Sequence, residues 1–118
     1  MANIQPDRGG LSAAGYSRAL TASSGSAQDA TSVLQASVNI FDTVVTSGDS
    51  ATLPSVEPGT VIYVKNNSAS YPLDLFPNTG ETINGGSSNA AISIAVGTCL
   101  GLIKESATNW EQITESTD

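Results

Sequence analysis

The chain has 118 residues with 4 basic and 11 acidic side chains, which gives a formal net charge of -7 at pH 7. It contains no histidine and one cysteine. Ser-His-Asp and Cys-His catalytic sites, an internal disulfide, and metal sites built on imidazole or several thiolates are therefore excluded. Binding to nucleic acid or to an anionic membrane depends on clustered basic residues. The basic residues of this chain are scattered, at Arg8, Arg18, Lys65 and Lys104. We therefore predict that neither nucleic acid nor a membrane is a partner.

Catalysis by carboxylates alone is compatible with this composition, but the chain has few of the aromatic residues that commonly line a substrate cleft. Only 5% of the residues are aromatic, and glycoside hydrolysis needs two carboxylates held across a sugar-binding cleft. We therefore predict a protein that is not an enzyme and holds no cofactor. The first residues lack the basic and apolar regions of a signal peptide, and no apolar run approaches the roughly 20 residues of a transmembrane helix. We expect a soluble protein made in the cytoplasm.

Residues 1–35 are predicted to form an extended N-terminal arm. Isolated apolar residues stand among Gly, Ser and Ala, and residues 21–26 are typical of a flexible linker. Such a segment buries too little apolar area to offset the entropy lost on ordering, so we expect residues 1 to about 30 to order only against a partner. Residues 28–35 fit a helical turn capped by Asp29 or a strand, and we favour the extended path.

Residues 36–113 are predicted to form a small antiparallel β-sandwich or barrel, followed by a polar C-terminal tail at residues 114–118. Runs of β-branched residues and period-2 alternation indicate the strands, and turn signals about every 8–12 residues are typical of sandwiches and barrels. The predicted strands are residues 37–45, 51–53, 60–65, 73–76, 82–83, 91–96, 98–104 and 109–113. A domain of this size has a small core, so we expect oligomerisation to add stability.

Five turns are predicted between these strands, and the first of them is at residues 47–50. Pro58-Gly59 fits a type II turn, with proline at the second position and glycine at the third. Asn66-Asn67 and Asn84-Gly85 are predicted to form tight turns, the first of them in a hairpin, because Asn and Gly tolerate positive φ. Gly97 is predicted to turn the chain so that residues 98–104 pair back onto residues 91–96.

Three further features have both a structural and a functional interpretation. The Gly-rich stretch around Glu81 lacks the Lys-Ser/Thr of a phosphate loop and the ligand pattern of a calcium loop, so we interpret it as a turn. Trp110 fits an interface anchor or, in the interpretation we prefer, a strand residue that seals the core. Cys99 lies in an apolar run and is predicted to be a buried, inert thiol.

The series of strands and turns resembles a β-domain common among virion proteins of tailed bacteriophages. The resemblance covers about residues 36–113 and rests on the segments 52–54, 58–66, 75–86, 91–97 and 106–110. Among these proteins the chain is most similar to a capsid decoration, or cement, protein. The resemblance implies an antiparallel β-fold, no cofactor, the major capsid protein as partner, and a homotrimer as the common oligomer.

We therefore expect a virion protein that binds the outer surface of a capsid and stabilises it. The arm residues predicted to contact the partner are Arg8, Leu11, Tyr16, Arg18 and Leu20, because arginine pairs with carboxylates and tyrosine buries area at low entropic cost. Two alternatives stay open. One is a tail or fibre component that binds a host receptor or glycan, and the other is a small hydrolase or lectin-like domain that uses the Glu81 loop.

Overall fold

The computed structural model describes residues 16–25, 28 and 33–117, with only the backbone of Thr117. Within these residues all regular structure is β-strand, which confirms the all-β prediction. The nine strands are β1 (Tyr16–Thr21), β2 (Val38–Thr43), β3 (Ser50–Thr52), β4 (Val61–Asn66), β5 (Leu73–Phe76), β6 (Thr82–Ile83), β7 (Ile92–Ile94), β8 (Thr98–Lys104) and β9 (Asn109–Thr117). They form a six-stranded sheet in the order β1-β2-β4-β8-β9-β6 and a three-stranded sheet in the order β3-β5-β7.

Both sheets are mixed, so the prediction of a purely antiparallel fold is wrong. In the larger sheet β8 pairs antiparallel with β4 and β9, whereas β1 with β2, β2 with β4, and β6 with β9 are parallel pairs. In the smaller sheet β5 pairs in parallel with β3 and antiparallel with β7. Period-2 patterning fixes which side chains share a face, but it carries no information about the partner strand or its direction.

One hydrophobic core is shared by the two sheets. In β4, Ile62 and Val64 are buried while Tyr63 between them is exposed, which is the alternation expected of a strand with one face on a core. The smaller sheet contributes the same pattern through Leu73 and Leu75 of β5. The largest fully buried apolar side chains of this core are Leu53, Val64, Leu73, Leu75, Ile94, Leu102 and Trp110.

Asn66 forms a link between the sheets instead of the predicted hairpin turn. It is fully buried at the end of β4, and neither it nor Asn67 has positive φ. Its Nδ2 donates to the carbonyl oxygens of Tyr71 and of Ile94 in β7, both at 2.9 Å, and its Oδ1 accepts from Ser68 Oγ at 2.6 Å. Because the amide bonds to backbone of the other sheet, it stabilises a crossing of the chain between sheets.

The predicted pairing of residues 98–104 with residues 91–96 is also wrong. The chain does turn at Gly97, where φ is 80°, but β7 belongs to the smaller sheet and β8 to the larger. Two other predicted turns are confirmed. Gly59 has φ of 97° with Thr60 N donating to Glu57 O at 3.2 Å, and Asn84 and Gly85 have φ of 55° and 69°.

Part of the predicted arm is incorporated in the sheets. Residues 16–21 form β1 at one edge of the larger sheet, and Ala22 N donates to Thr43 O at 2.9 Å. Ala22 is buried and Leu20 packs against the core, so these two side chains are covered within the chain, whereas Tyr16 is exposed. The prediction of the arm counted apolar residues and did not include this backbone pairing to β2.

The C-terminal boundary also differs from the prediction. β9 continues to Thr117, and Thr114, Glu115 and Ser116 pair with Gly101, Leu100 and Cys99 of β8. These residues are exposed, as their polarity indicated. Their backbone nevertheless completes the ladder of β8, so the predicted tail at residues 114–118 is a strand as far as Thr117.

Candidate functional site

A buried charged cluster joins the segment before β6 to β8 and β9. Glu81 Oε2 accepts a hydrogen bond from Lys104 Nζ at 2.9 Å, and Oε1 accepts one from Trp110 Nε1 at 2.9 Å. The ammonium group also donates to Val56 O at 3.0 Å and lies 5.8 Å from the centre of the Trp110 ring. All three side chains are buried, so the carboxylate is bonded through both oxygens inside the protein.

This cluster decides two of the interpretations made from the sequence. Trp110 is a core residue, as preferred, because its side chain is fully buried. Glu81 offers no accessible carboxylate to a substrate or sugar, and accessibility is what a general acid or base requires. The sequence analysis missed Lys104, although its spacing from Leu100 and Leu102 along β8 places it on the core face.

Asp49 is a second buried carboxylate, located between β2 and β3. Its Oδ2 accepts from the backbone N–H groups of Val45 and Thr46, both at 3.2 Å, and its Oδ1 accepts from Gly25 N at 3.1 Å and Thr46 Oγ1 at 2.9 Å. Burial by itself raises the pKa of Asp49, but these hydrogen bonds outweigh it and hold the pKa below the ordinary value of 3.8. The signal in the sequence was an aspartate closing a turn, where its oxygens commonly bind nearby backbone.

A cavity of about 150 Å³ lies between β1, β2 and residues 33–35. Leu20, Leu34 and Phe41 are among its apolar lining residues, and Ser17 and Asn39 are among the polar ones. Asn39 is fully buried, and its Oδ1 has no hydrogen-bond partner within the described part of the chain. No pattern in the sequence indicates this site, because it forms only where β1 lies beside β2.

A wider depression of about 360 Å³ lies on the other side of residues 34–35, between residues 34–37 and residues 54–62. Its lining includes Leu34, Pro54, Val56 and Ile62. The lining is largely apolar, so this depression has few groups with which to orient a polar ligand.

The face of the six-stranded sheet turned away from the core, here called the outer face, presents an aromatic row. Register aligns Tyr16 of β1, Val38 of β2, Tyr63 of β4 and Gly101 of β8. Tyr16 is 55% exposed and Tyr63 is 37% exposed. A methyl group placed on Gly101 would lie 2.8 Å from Tyr63 Cε1 and 2.7 Å from Thr114 Cγ2, so the Tyr63 ring lies over the glycine with its other side toward solvent.

The predicted arm residues are separated by the structure. Tyr16 and Arg18 are exposed on β1, whereas Leu20 is half-buried against the core and lines the cavity. Arg8 and Leu11 lie outside the described residues. Cys99 is only half-buried, on the outer face of β8, because the apolar run 98–103 alternates between the two faces of the sheet.

Within the described ranges no three His, Cys, Asp or Glu side chains are grouped so that they could hold a metal ion. No helix long and apolar enough to span a membrane occurs in the same part of the chain. No protein-family model, curated protein or solved structure matches the chain.

Proposed function

We propose that this chain is a structural protein of a bacteriophage particle that binds the outer surface of the capsid and stabilises it as a decoration, or cement, protein. The proposal assigns it a binding role without catalysis or cofactor. The observation that carries it is the aromatic row of the outer face, where Tyr16 and Tyr63 are exposed on either side of Val38. Exposed tyrosines are typical of protein-binding surfaces.

The hydrogen bonding of the buried charged groups supports the same proposal. Glu81, Lys104 and Asp49 are bonded to other groups of this chain, so they stabilise the fold and do not face a cleft. The resemblance to phage virion β-domains over about residues 36–113 agrees with a role in which the surface carries the function.

The partners in this proposal are the major capsid protein and further copies of the chain, assembled as a homotrimer. Nucleic acid and membranes are not partners, since the net charge of -7 opposes contact with polyanions. We interpret the two sheets as a small sandwich, with the outer face available to the capsid or to a neighbouring copy. The place of action is then the surface of the virion.

The test is co-sedimentation of the purified protein with capsids that lack their own copy. We expect Tyr16→Ser and Tyr63→Ser to weaken capsid binding at least tenfold, because each removes exposed aromatic area from the outer face. Tyr71→Ser is the matched control, since Tyr71 is a similarly exposed tyrosine in the loop between β4 and β5. Light scattering on the purified protein measures the oligomer.

Two results would contradict the proposal. One is unchanged capsid binding by both outer-face variants, and the other is a wild-type protein that does not sediment with capsids. Sedimentation with purified tails in place of heads would favour a tail or fibre component.

A further inference from the structure

Asn39 has an unbonded carbonyl oxygen in a place where such a group is costly. Its Nδ2 donates to Ala36 O at 2.8 Å and to Tyr63 O at 3.2 Å, which uses both of its hydrogens. Its Oδ1 is buried without a partner in the described part of the chain, and an unsatisfied buried acceptor costs about 1–3 kcal/mol. A group that donates a hydrogen bond to Oδ1 would remove this penalty.

The orientation of the Asn39 amide is fixed by its neighbours. Exchanging its oxygen and nitrogen would place Oδ1 against the carbonyl oxygens of Ala36 and Tyr63, which are acceptors and cannot donate. The unbonded atom is therefore an acceptor, so the missing partner must carry an O–H or N–H group.

The cavity beside Asn39 limits the size and charge of such a partner. Its volume of about 150 Å³ equals that of an engineered protein cavity that binds benzene, so a compact body of roughly six to eight heavy atoms fits. Among the described residues the lining contains no charged side chain. Burying a charged ligand without a countercharge is strongly unfavourable, and the occupant is therefore neutral.

The cavity is lined by both apolar and polar residues, which complements an amphipathic ligand. Leu20, Leu34 and Phe41 supply apolar surface to one side of the ligand. Ser17 of β1 is paired in register with Asn39 of β2, so their side chains stand next to each other on the inner face of the sheet. A ligand that packs on the leucines and Phe41 can point its donor toward the Ser17–Asn39 pair.

We propose that this cavity is a binding site for a small neutral molecule with a compact apolar body and one O–H or N–H donor, of the chemical class of a phenol, with Asn39 Oδ1 as the acceptor. The proposal does not depend on the function proposed above. It also identifies Ser17 and Asn39 as the residues that set the preference for a ligand with a donor.

The test is a titration of ¹⁵N-labelled full-length protein with phenol, followed by the chemical shifts of the Asn39 side-chain amide and of the β1 and β2 backbone. Toluene is the matched probe, because it has almost the same size and shape but no donor. We expect saturable shifts confined to the cavity and at least tenfold tighter binding of phenol than of toluene.

Two variants test whether the probes bind in this cavity and whether Asn39 sets the preference for phenol. Ser17→Leu places an apolar side chain next to Asn39 without touching the bonds to Ala36 and Tyr63, and it should abolish binding of both probes while the protein stays folded. Asn39→Leu should remove the preference for phenol, leaving the two probes within about twofold of each other. If Asn39→Leu fails to fold, Ser17→Leu and the phenol–toluene comparison still decide the question.

Three outcomes would overturn the proposal. They are an absence of cavity shifts with phenol, equal affinity for phenol and toluene in the wild type, and phenol binding that Ser17→Leu leaves intact. The first outcome, together with water-to-amide cross-relaxation at Asn39, would mean that the cavity holds water only.

Discussion

At the scale of single residues, two buried carboxylates have hydrogen-bond partners that are distant in sequence. Glu81 and Lys104 are 23 positions apart, and the bond between Asp49 and Gly25 spans 24 positions. Breaking a buried pair leaves an uncompensated charge or donor inside the protein, which is more costly than losing a surface contact. Stability therefore depends strongly on a few polar side chains that composition alone would place on the surface.

Glu81→Gln is expected to lower the free energy of unfolding by about 3–5 kcal/mol, because it leaves the Lys104 ammonium group buried without its counter-ion. Urea denaturation measures the change. Glu57→Gln is the matched control, since Glu57 is exposed, and it should change stability by less than about 0.5 kcal/mol. The double variant Glu81→Gln/Lys104→Met should be more stable than Glu81→Gln alone. A loss below about 1 kcal/mol in Glu81→Gln would show that the ion pair is not important for the fold.

Asp49→Asn is expected to change how stability depends on pH. The folded state holds the pKa of Asp49 below the ordinary value of 3.8, so the unfolded chain binds this proton first as the pH falls. The ionised carboxylate therefore stabilises the protein fully above its unfolded pKa, and the contribution is lost as the pH drops through the folded pKa. Urea unfolding of both proteins between pH 3 and pH 6 should show a constant difference at the upper end that shrinks below about pH 4. A difference independent of pH would contradict this role.

At the scale of strands, the two sheets are connected through the end of β4, and on the outer face of the larger sheet β4 packs closely on β8. Asn66 bonds to a carbonyl oxygen of β7, and the Tyr63 ring lies over Gly101 of β8. The first contact links one sheet to the other, and the second allows a tyrosine to pack flat on its own sheet. Each contact depends on one residue, Asn66 in the first and Gly101 in the second. A replacement of similar size at either position would disrupt the contact.

Asn66→Asp is expected to lower the free energy of unfolding by at least about 2 kcal/mol, because aspartate cannot donate to the carbonyl oxygens of Tyr71 and Ile94. The midpoint of urea unfolding measures the loss. Asn67→Ala changes the neighbouring, exposed position and should have an effect below about 0.5 kcal/mol. Equal effects from the two substitutions would show that the link between the sheets contributes little.

Gly101→Ala is expected to cost about 1–3 kcal/mol, since its methyl group would overlap the Tyr63 ring and the Thr114 side chain. Thermal unfolding followed by circular dichroism measures the change. Adding Thr114→Ser removes Thr114 Cγ2, the atom nearest to the new methyl group at 2.7 Å, and should recover part of the loss. If Gly101→Ala were as stable as the wild type, the ring would not lie over the glycine.

At the scale of the whole molecule, the arm and the β-domain are connected through β1. This strand is at the edge of the larger sheet and carries Ser17 and Leu20 to the cavity and Tyr16 to the outer face. A truncation that is meant to test the arm must therefore stop before Tyr16. Otherwise it also removes a strand of the sheet.

Deletion of residues 2–21 is expected to lower the free energy of unfolding by about 2 kcal/mol or more relative to deletion of residues 2–14, through lost burial of Leu20 and lost pairing with β2. Calorimetry on the two truncated proteins measures the difference. If the shorter deletion weakens capsid binding while the protein stays folded, residues 2–14 contribute to attachment. Equal stability of both truncations would show that β1 adds nothing to the fold.

The sequence by itself determined most of the strands from residue 37 onward, but not β1, the extension of β9 to Thr117, or the faces occupied by Lys104 and Cys99. The strands at residues 73–76, 82–83 and 98–104 begin and end where alternation and turn residues indicated, because those signals act between near neighbours. Burial of Trp110 followed from its size and from its apolar surroundings. The alternation of Leu100 and Leu102 along β8 would also have placed Lys104 on the core face.

Only the tertiary structure decided which strands pair, in which direction, and which polar groups meet. Asn66 was expected in a hairpin turn and instead bonds across the sheets, and Asn39 forms its site only where Ser17 of β1 lies beside it. The alternation that marks a strand is identical for parallel and antiparallel neighbours, so it cannot select between them. That choice is made by the shared core and by buried hydrogen bonds between residues more than twenty positions apart, which a local pattern does not record.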